Sequence, residues 1–280
     1  MQLITKEVPN NFNLFCFGDM HIGSILYHKA GFAKLRSMMH RSYCNCKDNF
    51  GVCHGDHIEA IMVDDKRYQR GMSRLESIIE QTEEAVKEMD GIKKQLVCTL
   101  EGNHETALDR YGSIGADIAK KLGIKFGTYT ARITYKFSDG TFFKHYATHG
   151  AKSVSSNAKT AKQKRENMEN RLRLLMTEKS HTCAIATMGH THKLMVCRPE
   201  PQLYIDDDGI ELSQHYTKPV QSGYADQEQR WFVNTGSFMK LYALGHSGYA
   251  ERFGYDPIEL GFVIVKVRDK QIIDIDKIVI

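Results

Sequence analysis

Four short apolar runs recur along the chain, and each ends in a turn of glycine and polar residues. They cover residues 14–17, 51–53, 95–100 and 183–188. Short apolar runs bounded by glycine are typical of buried strands. Helical patterns lie between these runs, so the chain is predicted to be an α/β protein with a buried sheet.

Three helices are predicted from the periodicity of the apolar positions. Residues 73–89 carry apolar side chains at three-to-four spacing, and Ser73 followed by Glu76 has the form of a capping box. A second helix is predicted over residues 107–122, stopping at Gly123, because glycine is common just past a helix end. A longer polar helix is predicted over about residues 157–179.

The second half of the chain is predicted to be rich in strands. Residues 132–137 and 141–148 flank Ser138-Asp139-Gly140, which is a hairpin signal. Further strands are predicted around Leu203 and Leu212, and over residues 231–234, 261–267 and 272–279. No internal repeat or proline-rich linker divides the sequence, so we expect a single domain over residues 1–280.

Composition and charge exclude several classes of protein. A chain of 280 residues with 41% hydrophobic content can bury a sizeable core, and its net charge of +4 is too small to mark a general polyanion binder. Neither a cleavable signal nor an apolar run of about 18 residues is found. The seven cysteines are odd in number and four lie in apolar runs, which favours a reducing compartment. We therefore expect a cytoplasmic protein without a membrane partner.

Side chains that bind metals follow five of the predicted strands. In open α/β sheets, sites assemble beyond the carboxyl ends of the strands. Any one of these motifs taken alone is more often a turn or a helix cap. Together they supply two aspartates, one asparagine and four histidines, enough for two metal ions that share one carboxylate. The motifs are Gly18-Asp19-Met20-His21, Gly55-Asp56, Gly102-Asn103-His104-Glu105, His149-Gly150 and Gly189-His190-Thr191-His192.

This ordered set of motifs resembles the calcineurin-like metallophosphoesterase superfamily. The resemblance covers about residues 14–238 and implies an αββα fold, a sandwich of two sheets flanked by helices. It implies one metal on Asp19, His21 and His192, a second metal on Asn103, His149 and His190, and Asp56 as the bridge between them. His145 shares a strand face with His149 and is the alternative for that position, although the adjoining glycine favours His149.

Two catalytic side chains are also implied by the resemblance. His104 would lie over the substrate and donate a proton to the departing oxygen. Glu59, three residues after the bridging aspartate, would orient His104, or would be a solvated charge at the start of a helix. His57 is either a substrate contact or a surface histidine.

The expected reaction is metal-dependent hydrolysis of a phosphoester. Two divalent ions lower the pKa of a water between them, and the resulting hydroxide attacks phosphorus. Mixed imidazole and carboxylate ligands suit manganese, which we expect, or iron, zinc or nickel. No serine or cysteine nucleophile is needed.

A basic segment indicates the class of substrate. Residues 151–180 form a helical insertion with a net charge of +5, which exceeds that of the whole chain, and Lys152, Lys162 and Arg165 are its candidate substrate contacts. Basic residues beside a hydrolytic centre favour a phosphodiesterase or nuclease acting on nucleic acid or nucleotides. A solvated helix face is the alternative for the segment. A phosphomonoesterase, a protein phosphatase and a non-catalytic metal-binding scaffold remain alternatives for the function.

Overall fold

A computed structural model describes the backbone of residues 1–280 and every side chain except those of Tyr111 and Tyr249. The chain is a mixed α/β protein with two larger sheets and one separate hairpin. The first sheet has six strands, in the order β1 (Gln2–Glu7), β5 (Thr130–Lys136), β6 (Phe142–Thr148), β7 (Ile185–Met188), β11 (Trp231–Thr235) and β8 (Leu194–Cys197).

The second sheet has five strands, and the hairpin stands apart from both sheets. The second sheet has the order β13 (Gln271–Val279), β12 (Gly261–Arg268), β2 (Phe12–Phe17), β3 (Asn49–Cys53) and β4 (Leu96–Thr99). The hairpin pairs β9 (Leu203–Asp207) with β10 (Leu212–Tyr216), as their turn signal predicts.

The two sheets pack face to face over a shared apolar core. From the second sheet this core receives Phe12, Leu14 and Val52, and from the first sheet it receives Ile133 and Phe143, among others. Alternate residues of a strand face opposite sides of its sheet. Phe15 and Phe17 therefore point away from this core and contact the helices instead.

Helices cover the outer faces of both sheets. On the five-stranded sheet lie α1 (Lys29–Met39), α2 (Ile78–Asp90) and α4 (Ile114–Leu122), and on the six-stranded sheet lies α5 (Ala161–Met176). Two one-turn helices complete the set, α3 (Asn103–Thr106) and α6 (Tyr249–Arg252). These layers are compatible with an α/β sandwich, as the sequence predicts. None of the described helices is both long and apolar enough to cross a membrane.

The predicted start of α2 is wrong by about one turn. Its N-cap is Ser77, whose side chain accepts a hydrogen bond from the Glu80 N–H, and Ser73 lies outside the helix. Ser73 instead bridges to Ser24, and the neighbouring Arg74 N–H donates to the Gly23 carbonyl at 2.6 Å. Tertiary hydrogen bonds therefore hold this segment extended against a neighbouring loop.

The other predicted elements agree with the structure to within a few residues, with one exception. The helix predicted over residues 107–122 is divided, because Gly112 has φ of 104° and Ser113 caps a new helix, α4. That helix ends at Gly123 in the left-handed conformation, as expected. Five elements were not predicted: β1, β8, α1 and the one-turn helices α3 and α6.

Candidate metal centre

The candidate ligands meet at one edge of the two sheets because of strand direction. Strands β2, β3 and β4 are parallel neighbours, as are β6 and β7. Parallel strands place their carboxyl ends at the same edge. The loops that follow these five strands carry all seven residues of the predicted ligand set: Asp19, His21, Asp56, Asn103, His149, His190 and His192.

The structure brings Asp19, His21, Asp56 and His192 into one group. One ligand atom from each side chain lies within 4.8 Å of those of the others. The Nε2 atoms of His21 and His192 are 3.1 Å apart, and His192 Nε2 lies 3.3 Å from Asp19 Oδ1. These atoms can hold one cation.

A second group contains Asp56 again, now with His149 and His190. His149 Nε2 lies 3.3 Å from Asp56 Oδ2. The amide oxygen of Asn103 lies 2.9 Å from His149 Nε2 and 2.7 Å from His190 Nδ1, which adds a fourth ligand. Asp56 is therefore shared by two adjoining donor groups.

The chemistry of these donors fits divalent cations. Burial by itself would raise the pKa of Asp56, but the charges of His149, His104 and His21 hold it well below its usual range. Burial would lower the pKa of His21, but the hydrogen bond and charge of Glu59 raise it to about 9. The site thus stabilises an anionic carboxylate and attracts positive charge, and metal ions compete with protons for such imidazoles.

The backbone at this site is strained. Five of the seven candidate ligands have positive φ: Asp19 (52°), His21 (53°), Asp56 (48°), His190 (66°) and His192 (57°). Residues other than glycine adopt this conformation uncommonly, at a cost of about 1–3 kcal/mol each. Such strain concentrates at functional sites. Five candidate ligands therefore lie on backbone of this uncommon conformation, which is consistent with a functional site.

Glu105 joins the loop after β3 to the loop after β4. Its fully buried carboxylate accepts hydrogen bonds from four main-chain N–H groups, those of Asp56 (3.1 Å), His57 (2.6 Å), Ile58 (3.2 Å) and Gly102 (2.9 Å). Although burial raises the pKa of Glu105, the hydrogen bond and charge of His57 hold it below its usual range. The sequence motif contains Glu105, but its spacing gives no sign of this role.

Two histidines whose roles the sequence does not decide, His57 and His145, lie outside the two donor groups. His57 is completely buried, with Nδ1 3.2 Å from Glu105 Oε1 and Nε2 2.5 Å from Thr99 Oγ1. Both predictions for His57, a substrate contact and a surface histidine, are therefore wrong. His145 is also buried, and its Nε2 lies 2.6 Å from Thr187 Oγ1. It takes no part in the donor groups formed by the described residues.

Glu59 contacts two histidines, the expected His104 through its main chain and His21 through its side chain. Its carboxylate accepts a hydrogen bond from His21 Nδ1 at 2.9 Å, while only its main-chain carbonyl accepts one from His104 Nδ1. Glu59 is 6% exposed, so it is not a solvated charge. A carboxylate on the outer nitrogen of a histidine ligand fixes the tautomer and raises its basicity.

His104 lies beside the cluster, with its ring centroid 4.5 Å from that of His21. Its Nε2 accepts a hydrogen bond from Arg67 Nη1 at 3.1 Å. Burial lowers the pKa of His104, and the charge of Arg67 adds to this effect. Arg67 also binds the Asp65 carboxylate through Nη2 at 2.7 Å. No motif pointed to Arg67, because it lies in the irregular loop between residues 59 and 77.

The predicted substrate contacts Lys152, Lys162 and Arg165 are exposed. The Lys162 side chain is 86% exposed and forms an ion pair with Glu166 at 4.0 Å. The basic segment therefore presents positive charge to solvent.

Removing the Glu59 carboxylate tests its contact with His21. We expect Glu59→Ala to weaken manganese binding about 10- to 100-fold, measured by calorimetric titration, because a carboxylate that hydrogen-bonds to a histidine ligand contributes this much to metal affinity. Glu59→Gln should have a smaller effect, since its amide oxygen accepts the same hydrogen bond without a charge. Glu80→Gln, an exposed change in the first turn of α2, serves as the control. Wild-type affinity in Glu59→Ala would contradict this role.

Comparison with protein-family models and with curated proteins finds no match to this chain. The interpretation of the site therefore depends on its own geometry.

Proposed function

We propose that the chain is a binuclear-metal-dependent phosphodiesterase with the αββα fold of the calcineurin-like metallophosphoesterases. One observation carries this proposal: two adjoining groups of nitrogen and oxygen donors share the carboxylate of Asp56. Two-metal centres of this kind clamp both the attacking and the leaving oxygen of a phosphoryl group. The layered sheets and helices described above support the same assignment.

Each ligand has a defined part in this proposal. Asp19, His21 and His192 would hold one ion, Asn103, His149 and His190 would hold the other, and the carboxylate of Asp56 would be shared by both. Manganese is the expected metal, because mixed imidazole and carboxylate donors suit it, with iron, zinc or nickel as alternatives. When bound, the two ions supply an activated water and polarise the phosphoryl oxygens.

Arg67 and His104 provide the substrate contacts nearest the ligands. A guanidinium group matches the oxygens of a phosphate, so Arg67 is suited to bind the phosphoryl group of the substrate. Arg67 now donates to Nε2 of His104. Movement of Arg67 onto the substrate would free this nitrogen, and His104 would then face the departing oxygen. Glu59 keeps His21 oriented during these changes.

A diester within nucleic acid is the substrate class that the charge pattern favours. The segment 151–180 carries a net charge of +5, and its Lys152, Lys162 and Arg165 are exposed. Exposed basic residues attract polyanions and release their counterions. We propose that this segment attracts the strand, while the metal centre performs the hydrolysis.

Metal content and two small substrates test the proposal. Wild-type protein reconstituted with manganese should hold about two ions per chain and hydrolyse bis-p-nitrophenyl phosphate faster than p-nitrophenyl phosphate. A chelator should remove both the metal and the activity. Failure to bind metal would overturn the proposal. A preference for the monoester would favour a phosphomonoesterase, and two bound ions without turnover of either ester would favour a scaffold.

A further inference from the structure

A cationic cavity of about 430 Å³ opens between two loops that the proposed mechanism does not use. One wall is formed by Tyr68, Gln69, Arg70 and Met72, and the other by Gly245, His246, Ser247 and Arg252. Tyr68, Arg70, His246, Ser247 and Arg252 supply hydrogen-bond donors to it. All eight lining residues are described, and none of them is acidic. We call this space the Arg70 cavity.

The Arg70 cavity adjoins a smaller cavity that lies beside the candidate metal centre. It shares Gln69 and Met72 with a small neighbouring cavity that is also lined by Glu59 and Arg67. Those two side chains contact His21 and His104 respectively. A row of lining residues therefore leads from the candidate ligands to the Arg70 cavity.

The wall that carries Arg70 is fixed to the loop that follows His21. Met72, a residue of this wall, accepts a hydrogen bond through its carbonyl from the Ile25 N–H at 2.9 Å. This wall is thereby tied to the chain segment just beyond a candidate ligand.

The charges of the cavity are available to a ligand. Several arginines nearby are paired, as Arg74 is with Glu84 at 2.7 Å. Arg70 and Arg252 are exposed and form no ion pair with any described side chain. Arginine donors match phosphate oxygens in geometry as well as in charge. Two unpaired arginines on one cavity, without a neighbouring carboxylate in its lining, are suited to bind an anion.

We propose that the Arg70 cavity binds a second phosphate of a polynucleotide strand whose scissile phosphodiester lies at the metal centre. This inference rests on the proposed function and names the substrate of the same site as a strand with several phosphates. Arg70 and Arg252 bind the phosphate oxygens, and Tyr68 offers a ring on which a base can stack. A small phosphomonoester has no second phosphate to fill this cavity.

The test measures binding of a strand separately from hydrolysis. The full-length protein, with manganese, is titrated into a fluorescein-labelled phosphorothioate oligothymidylate of about 12 nucleotides, which resists cleavage, and anisotropy is recorded at several salt concentrations. We expect the double variant Arg70→Ala, Arg252→Ala to bind about tenfold more weakly than wild type. The slope of log affinity against log salt should fall by about 1.4, the value for two lost phosphate contacts on a single strand.

The control variant removes the same charge elsewhere. Arg41→Ala with Lys87→Ala changes two exposed basic residues outside the Arg70 cavity and should retain wild-type affinity and slope. Wild-type affinity in the Arg70→Ala, Arg252→Ala protein overturns the second-phosphate site. An equal loss in the control variant also overturns it, because the binding would then depend only on net charge. Failure of the proposed function would be seen separately, as absent hydrolysis of bis-p-nitrophenyl phosphate by the wild-type chain.

Discussion

Asparagine in place of Asp56 is expected to lower both metal content and phosphodiester hydrolysis. Asp56 is the only carboxylate common to both donor groups among the described residues, and its pKa is held well below its usual range. An amide has almost the same shape but no charge, so it cannot neutralise two cations. Losing several kcal/mol of transition-state stabilisation corresponds to about a 10³-fold fall in kcat/KM. Metal analysis and turnover of bis-p-nitrophenyl phosphate measure the two effects.

Asp269→Asn is a closely matched control for this change. Asp269 is an exposed aspartate with nearly the same backbone conformation, φ of 47° against 48° for Asp56, and it lies outside the cluster. Any general cost of placing asparagine in this conformation will therefore appear in both variants. Full metal content with undiminished turnover in Asp56→Asn would contradict the shared role of this carboxylate.

Alanine in place of Glu105 is expected to produce the largest loss of stability. The substitution leaves four main-chain N–H groups without their acceptor. Leaving a buried donor unsatisfied costs about 1–3 kcal/mol, so the free energy of unfolding should fall by about 4 kcal/mol or more. Urea denaturation followed by circular dichroism measures this change. Glu105→Gln, which keeps one acceptor oxygen, should be affected in the same direction but less.

Glu88→Gln is the control for this prediction. Glu88 is also a buried glutamate, at 4% exposure, but its carboxylate binds the side chains of Lys29 and Arg36 rather than main-chain groups. We expect it to lose about 1 kcal/mol or less, because its cationic partners can turn to solvent. Equal losses in Glu105→Gln and Glu88→Gln would show that charge burial, and not the main-chain contacts, explains the role of Glu105.

The sequence predicts that the candidate ligands meet at one edge of the sheets because each one is tied to a local pattern. An apolar run followed by glycine defines where a strand ends, and parallel strands end at one edge. Asp56 illustrates this, since both its strand and its preceding glycine are visible in the sequence. Its place in both donor groups follows once the strands are parallel neighbours. The sequence also shows the basic segment 151–180, but it does not predict where this segment lies relative to the cluster.

Contacts between distant loops could not be predicted from these patterns. Glu59 lies 38 positions from His21, and Arg67 lies 37 positions from His104, so no short motif contains either pair. The expected link between Glu59 and His104 runs through the main-chain carbonyl of Glu59, and the contact of its carboxylate with His21 was not predicted for this reason. The start of α2 was predicted wrongly for a similar reason. Ser73 carries a valid local capping signal, but hydrogen bonds to the loop at residues 23–24 prevail over it.

The left-handed backbone at the ligand positions has a consequence for how such a protein evolves and is engineered. At Asp19, His21 or His192, glycine would relieve the conformational strain of the backbone, yet it would remove a candidate metal ligand. On the proposed function, selection that rewards relief of this strain alone would therefore favour sequences without the metal centre. A library screened for heat resistance needs metal retention as a second criterion, or the best survivors will have lost the centre.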